Sequence, residues 1–131
     1  MKQLAFLGRI LFAIPIAIIG ITHFLMTPEF LIKLEHSLIP SSLYTVLLSG
    51  ALLIISSIFI VLNKYVKVAC LWLAAMLLIV VTTIHIPNLF YPELFSMALM
   101  EVLQDTALMG ASLMIAFYLN NEKKSGIIKL K

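Results

Sequence analysis

Residues 43–62 read LYTVLLSGALLIISSIFIVL, twenty positions with neither a charge nor a proline. A helix rising about 1.5 Å per residue covers about 30 Å over that length, the thickness of the hydrocarbon core of a bilayer. Working outward, three further runs have the same character, about Leu4 to Met26, Val66 to Ile86 and Met97 to Leu119. The last is the most interrupted, because Glu101, Gln104 and Asp105 precede its unbroken apolar part, which starts at Thr106. Lys2 and Arg9 flank the first run as they would a signal peptide. The bulky stretch His23-Phe24-Leu25-Met26 offers no small-residue cleavage site, so a retained span is expected. The fold expected is an all-α transmembrane four-helix bundle, one domain over residues 1–131.

Composition leads to the same solvent. Of 131 residues 63% are hydrophobic and 11% charged, against roughly 45–50% and 25% in soluble domains. So short a chain cannot fold over that much apolar side chain, and the excess must face lipid, the expected partner. The net charge of +3 and a pI of about 9.1 do not imply a nucleic-acid partner. The basic residues collect at span ends and in the tail, where they act as topology signals and headgroup contacts. Cys70 is the single cysteine, so the chain forms no internal disulfide or dithiol relay.

The Lys and Arg distribution sets an orientation. Lys2 and Arg9, Lys64 and Lys67, and Lys123, Lys124, Lys129 and Lys131 fall on one side of the four spans, and Lys33 alone on the other. Eight against one places both termini in the cytoplasm and the segments 27–42 and 87–96 outside. The outer segments hold Pro28, Pro40, Pro87 and Pro92, which are expected to stop helices there, while Pro15 suggests a kink in the first span. Phe24, Phe30, Tyr44, Phe90, Tyr91 and Phe95 fall near the outer interface. They read first as an aromatic belt that sets depth, and second as a lid over a lipid-soluble substrate. From Asn120 onward a loosely ordered basic tail is expected.

An ionisable group inside a span costs about 2.5–3.5 kcal/mol at its centre, so such groups are the first place to look for function. His23, His85, Glu101 and Asp105 all fall in the outer half of the expected bundle. Glu101 and Asp105, spaced i,i+4, share one helix face with Ser112 further along. Asp105 lies roughly 12 Å into its span, too deep for a short side chain to reach water, and needs a partner, a proton or a cavity. These four are the candidate catalytic set. A neutral imidazole can donate to a carbonyl oxygen while a carboxylate accepts a proton, so the set suits a quinone or a proton relay. It has no spacing specific to a metal, and none is expected. Arg9, fourteen residues before His23 on nearly the same face, and Gln104 are candidate ligand-binding groups; Arg9 also reads as a topology anchor. Ser42, Ser49, Ser56 and Asn63 repeat every seven residues and read as a packing seam, with Ala13, Ala17, Gly20, Gly110 and Ala111 as close-approach residues. Met97, Met100, Met109 and Met114 read as lipid-facing or as bundle filler.

Gly8-Arg9-Ile10, Gly20-Ile21-Thr22-His23-Phe24, Thr27-Pro28-Glu29-Phe30 and Ile39-Pro40 resemble the first span and outer loop of DoxX-like membrane proteins. Ile84-His85-Ile86-Pro87-Asn88 and the stretch from Asp105 to Leu113 are similar to the end of that family's third span and to its fourth. The resemblance covers nearly the whole chain and implies a four-helix bundle of the bacterial inner membrane. It also implies a quinone-facing or redox-associated subunit with a redox protein as partner, assembly into an oligomer being left open. Relatives often carry an acidic residue in span two shortly after a glycine, whereas Gly50-Ala51-Leu52-Leu53 offers leucine. The alternative is a non-catalytic membrane scaffold in which the same polar residues hold the helices together.

Overall fold

A computed structural model describes the backbone of residues 2–128 and the side chains of residues 3, 4 and 6–117. Its described residues are all helical or in turns: α1 (Lys2–Leu25), α2 (Thr27–Leu34), α3 (Leu43–Val61), α4 (Val66–Val80), a π-helical turn (Val81–His85), α5 (Ile86–Asn88) and α6 (Phe95–Ile128). Four segments are long and apolar enough to cross a membrane: Phe6–Leu25, Leu43–Val61, Val66–Asn88 and Phe95–Phe117. Each exposes large apolar side chains, such as Leu11, Leu48, Leu78 and Met114, that water would penalise and hydrocarbon does not. The protein is a multi-pass membrane protein.

The spans run up, down, up and down, so the start of α1 and the end of α6 share the end of the bundle that carries the Leu62–Tyr65 turn, here the turn end. Asn63 and Tyr65 both take left-handed backbone there (φ 56° and 52°), which reverses the chain within a few residues. The opposite end carries α2. Helix α1 packs mainly on α3 and α4 mainly on α6, while α3 and α4 meet less closely. The α1–α3 contact is close because Gly20 and Gly50 face each other: a Cβ on Gly50 would lie 2.6 Å from His23 Cβ and 2.9 Å from the Gly20 carbonyl oxygen. Two turns further along the same helix pair, the Ser57 hydroxyl donates to the Ala13 carbonyl at 2.8 Å. Ala13, Ile16, Leu53, Ile60, Cys70, Leu73, Leu77 and Ala116 form one core from mid-bundle to the turn end.

Several expectations are corrected. Pro28 does not stop a helix but starts one: it sits in the first turn of α2, where the missing N–H has no partner to lose. Pro87 lies inside the third span, which continues to Asn88 instead of ending at Ile86. The helix accommodates it with the π-helical turn, in which the Ile86 N–H reaches back five residues to Val81. Because Pro87 has no N–H to offer, the Thr83 carbonyl is freed, and it accepts from the Leu38 N–H at 2.8 Å. That bond ties the α2–α3 connection to the third span. The backbone expected to loosen from Asn120 is helical to Ile128. The side chains of Lys2, Lys123 and Lys124, and the whole of Lys129 and Lys131, lie outside the described residues.

The seven-residue polar series also divides. Ser42 caps α3 by accepting from the Tyr44 N–H, Ser49 donates to the Val46 carbonyl, and Asn63 is exposed in the turn. Only Ser56 is buried, and the hydroxyl that bridges helices belongs to its neighbour Ser57.

Candidate functional site at the α2 end

Toward α2 the bundle opens into a cavity of about 580 Å³, within the range of small-molecule sites. Its walls come from α1, α3, α4 and α6, and α2 lies over its end with Phe30, Lys33 and Leu34. Most of the lining is apolar. The ion-paired groups collect on the α4–α6 side, with Lys33 reaching in from α2, and each has a local reason for being there.

The π-helical turn puts His85 at its last position, 8% exposed. From α6, Glu101 and Asp105 are one turn apart on the same face and reach opposite edges of the ring. His85 Nε2 lies 3.1 Å from Asp105 Oδ2, and Nδ1 lies 3.0 Å from Glu101 Oε2. The Asp105 contact has hydrogen-bond geometry; the Glu101 contact is at ion-pair distance, with Nδ1 off the line a hydrogen bond needs. Lys33, from α2, donates to the other oxygen of Glu101. The result is a chain Lys33–Glu101–His85–Asp105 across α2, the third span and α6. With an imidazolium its formal charges cancel; with a neutral ring one negative charge is left over. Counting α6 from Phe95, Asp105 is about 15 Å into its helix. Asn88, 3% exposed, donates to the Lys33 carbonyl at 3.3 Å, and its own side-chain oxygen has no partner in the protein.

His23 lines the same cavity from α1 but joins no ion pair there. Its ring stacks on Phe30 at 3.9 Å between centroids, and Nδ1 lies 2.8 Å from the Ile19 carbonyl, to which it donates. Gln104 also lines the cavity, one turn along α6 from Glu101. Arg9 does not. Fourteen residues before His23, it lies about 21 Å down α1, where its guanidinium sits 5.6 Å from the centre of the Phe6 ring and its Nε is buried without a partner. The structure therefore gathers five of the six candidate residues around one cavity and leaves Arg9 near the turn end.

Three participants were not among the sequence candidates. Lys33 entered only as the one basic residue on the sparse side of the charge count; that exception was itself the available signal. Tyr44 and Phe30 entered as interface aromatics, and both line the cavity. Phe24, Phe90 and Phe95 instead point outward, as a belt would. The described residues hold no group of three or more His, Cys, Asp or Glu side chains placed to bind a metal ion. No family model, curated protein or solved structure matches this chain.

Proposed function

We propose that this protein is a DoxX-like four-span subunit of the bacterial inner membrane, with both chain ends cytoplasmic, that binds a quinone-type ligand at the α2 end. The observation that carries the reading is an apolar cavity of about 580 Å³ with one charged wall, the chain from Lys33 to Asp105. An apolar ring with two carbonyl oxygens suits such a space. Its faces need hydrocarbon walls such as Leu52, Leu53 and Leu77, and its oxygens need a donor at one end, which the Gln104 amide can supply. Reducing a quinone consumes two electrons and two protons. In this reading the electrons come from a redox protein partner, and the chain's own residues hold the ring and move the protons. Lys33, on α2, is the end of the polar chain nearest the membrane surface, and Asp105 is its deepest member. A proton can pass along Glu101 and the two nitrogens of His85 between them, since a ring that accepts at one nitrogen can release at the other. The cytoplasmic placement of the termini rests on the eight-to-one distribution of Lys and Arg.

One observation favours a second reading. Both ring nitrogens of His85 already face carboxylates, and Glu101 is shared with Lys33, so the cluster is satisfied without a ligand. Paired in this way it ties three elements together, as the polar knot of a membrane scaffold would. The two readings separate on Asp105→Asn in lipid nanodiscs. In the ligand-binding reading the unmodified protein binds a tailless substituted benzoquinone by calorimetry, and the variant loses proton uptake coupled to its reduction. In the scaffold reading neither protein binds the quinone, and the variant only melts earlier.

A further inference from the structure

A second hollow lies on the lipid-facing seam between α3 and α4. It holds about 290 Å³ and is lined by Leu52, Ile55 and Phe59 on one side and Tyr65, Val68 and Trp72 on the other. Its floor is made by two small buried residues, Ser56 and Ala69, flanked by these larger side chains. Leu52 is also a wall of the large cavity, so the two spaces adjoin. Around that junction the large cavity reaches side chains that face lipid, among them Tyr44, Leu48 and Ile79. The looser meeting of α3 and α4 thus gives the cavity a sideways opening into the bilayer, and the groove continues from it toward the turn end.

We propose that the groove holds the hydrocarbon tail of the ligand whose polar ring occupies the cavity, so that the substrate class is a long-tailed quinone and not a small, freely diffusing one. The proposal rests on the ligand-binding reading above and deepens it. Polarity divides along the path, with the charged wall at one end and an almost wholly apolar groove at the other. From His85 to Trp72 is thirteen residues of the third span, so a tail leaving the ring site and filling the groove runs about 20 Å. The direction of access distinguishes this occupant from a phospholipid chain. The groove joins the cavity at mid-membrane, and its far end carries the edge-to-face pair of Phe59 and Tyr65, with centroids 6.0 Å apart. A ligand tail enters from the mid-membrane end. A phospholipid chain reaches the groove only through its lipid-facing side and places no polar group in the cavity.

Trp72 is the only tryptophan in the chain, so its fluorescence reports on the groove. The probes are a tailless benzoquinone, a decyl benzoquinone with or without bromine at the tail's end, and a phosphatidylcholine brominated on its acyl chains, each in nanodiscs. The bromodecyl quinone is expected to quench Trp72, and the unbrominated decyl quinone to reverse that quenching by competition. Val68→Phe fills the groove from an exposed position; it should abolish the specific quenching and leave binding of the tailless quinone unchanged. It should weaken the tailed quinone only about threefold, because the lipid outside is as apolar as the groove and only packing is lost. Leu71→Phe, on the same helix but off the groove, should alter none of these values. The proposal is overturned if the quenching survives Val68→Phe or resists competition, or if the decyl quinone relieves none of the quenching by the brominated phospholipid, which also reaches the exposed side of Trp72 directly. Equal weakening of both quinones by Val68→Phe also overturns it. If the unmodified protein binds neither quinone, the ligand-binding reading fails and this proposal with it.

Discussion

The two ends of the bundle solve the same packing problem differently. At the turn end four helices close on small and aliphatic side chains, Ala13, Ile60, Cys70 and Ala116, and the hollow on the lipid-facing α3–α4 seam is half the size of the α2-end cavity. At the α2 end the same helices separate, and the space between them is spanned by a helix that lies across it and by a chain of charged groups. Lipid surrounds both ends, so the hydrophobic effect favours neither arrangement. Close packing holds the turn end, and pairing of charges that would otherwise be stranded in hydrocarbon holds the α2 end.

That contrast predicts an order of effects. Glu101→Ala should be the most damaging single change, because it strands Lys33 and removes one of the two carboxylates that His85 faces. Breaking such a shared ion pair costs about 3–5 kcal/mol when the site is buried. Glu101 keeps 20% of its side-chain surface exposed, which places the expected loss at the lower end of that range, read as reversible unfolding in detergent. Ile60→Ala at the turn end should cost about 2–3 kcal/mol, whereas Leu48→Ala, in the cavity wall and facing lipid, should cost under about 0.5 kcal/mol. Equal losses for the two would mean that the α2 end is as tightly packed as the other. Gly50→Val, at the α1–α3 crossing that backs the cavity, should cost about 1–3 kcal/mol by overpacking against His23 and the Gly20 backbone. Ser57→Ala should cost about 0.6 kcal/mol, the value of one interhelical hydrogen bond in a membrane protein, which leaves Leu48→Ala the mildest of the five.

The turn end and the spans were legible in the sequence because hydrophobic length is a strong and local signal. Residues 43–62 announce a span without reference to anything else in the chain. The α2 end was legible only in part. The depth of Asp105 and its spacing from Glu101 are helix properties, and these two with His85 could be assigned to one region by counting residues. Lys33 could not be, since its pairing with Glu101 joins residues 68 apart. Pro28 and Pro87 misled for a related reason: proline breaks a helix by removing an N–H, and at both places that N–H is not needed. At Pro28 the helix is only starting, and at Pro87 the Leu38 N–H replaces the missing donor to Thr83. Arg9 shares a helix face with His23 but lies at its other end, fourteen residues and about 21 Å away, beyond the lining of the cavity.

The central claim is that the charged wall serves a ligand in the cavity as well as the stability of the bundle. The direct test is calorimetric titration of a tailless benzoquinone into the nanodisc-embedded protein and its Asp105→Asn variant, with the melting temperature of each recorded alongside. The account predicts saturable binding to the unmodified protein and at least tenfold weaker binding to a variant that remains folded. No binding to either, with the variant merely melting earlier, would contradict it and leave the charges a purely structural role.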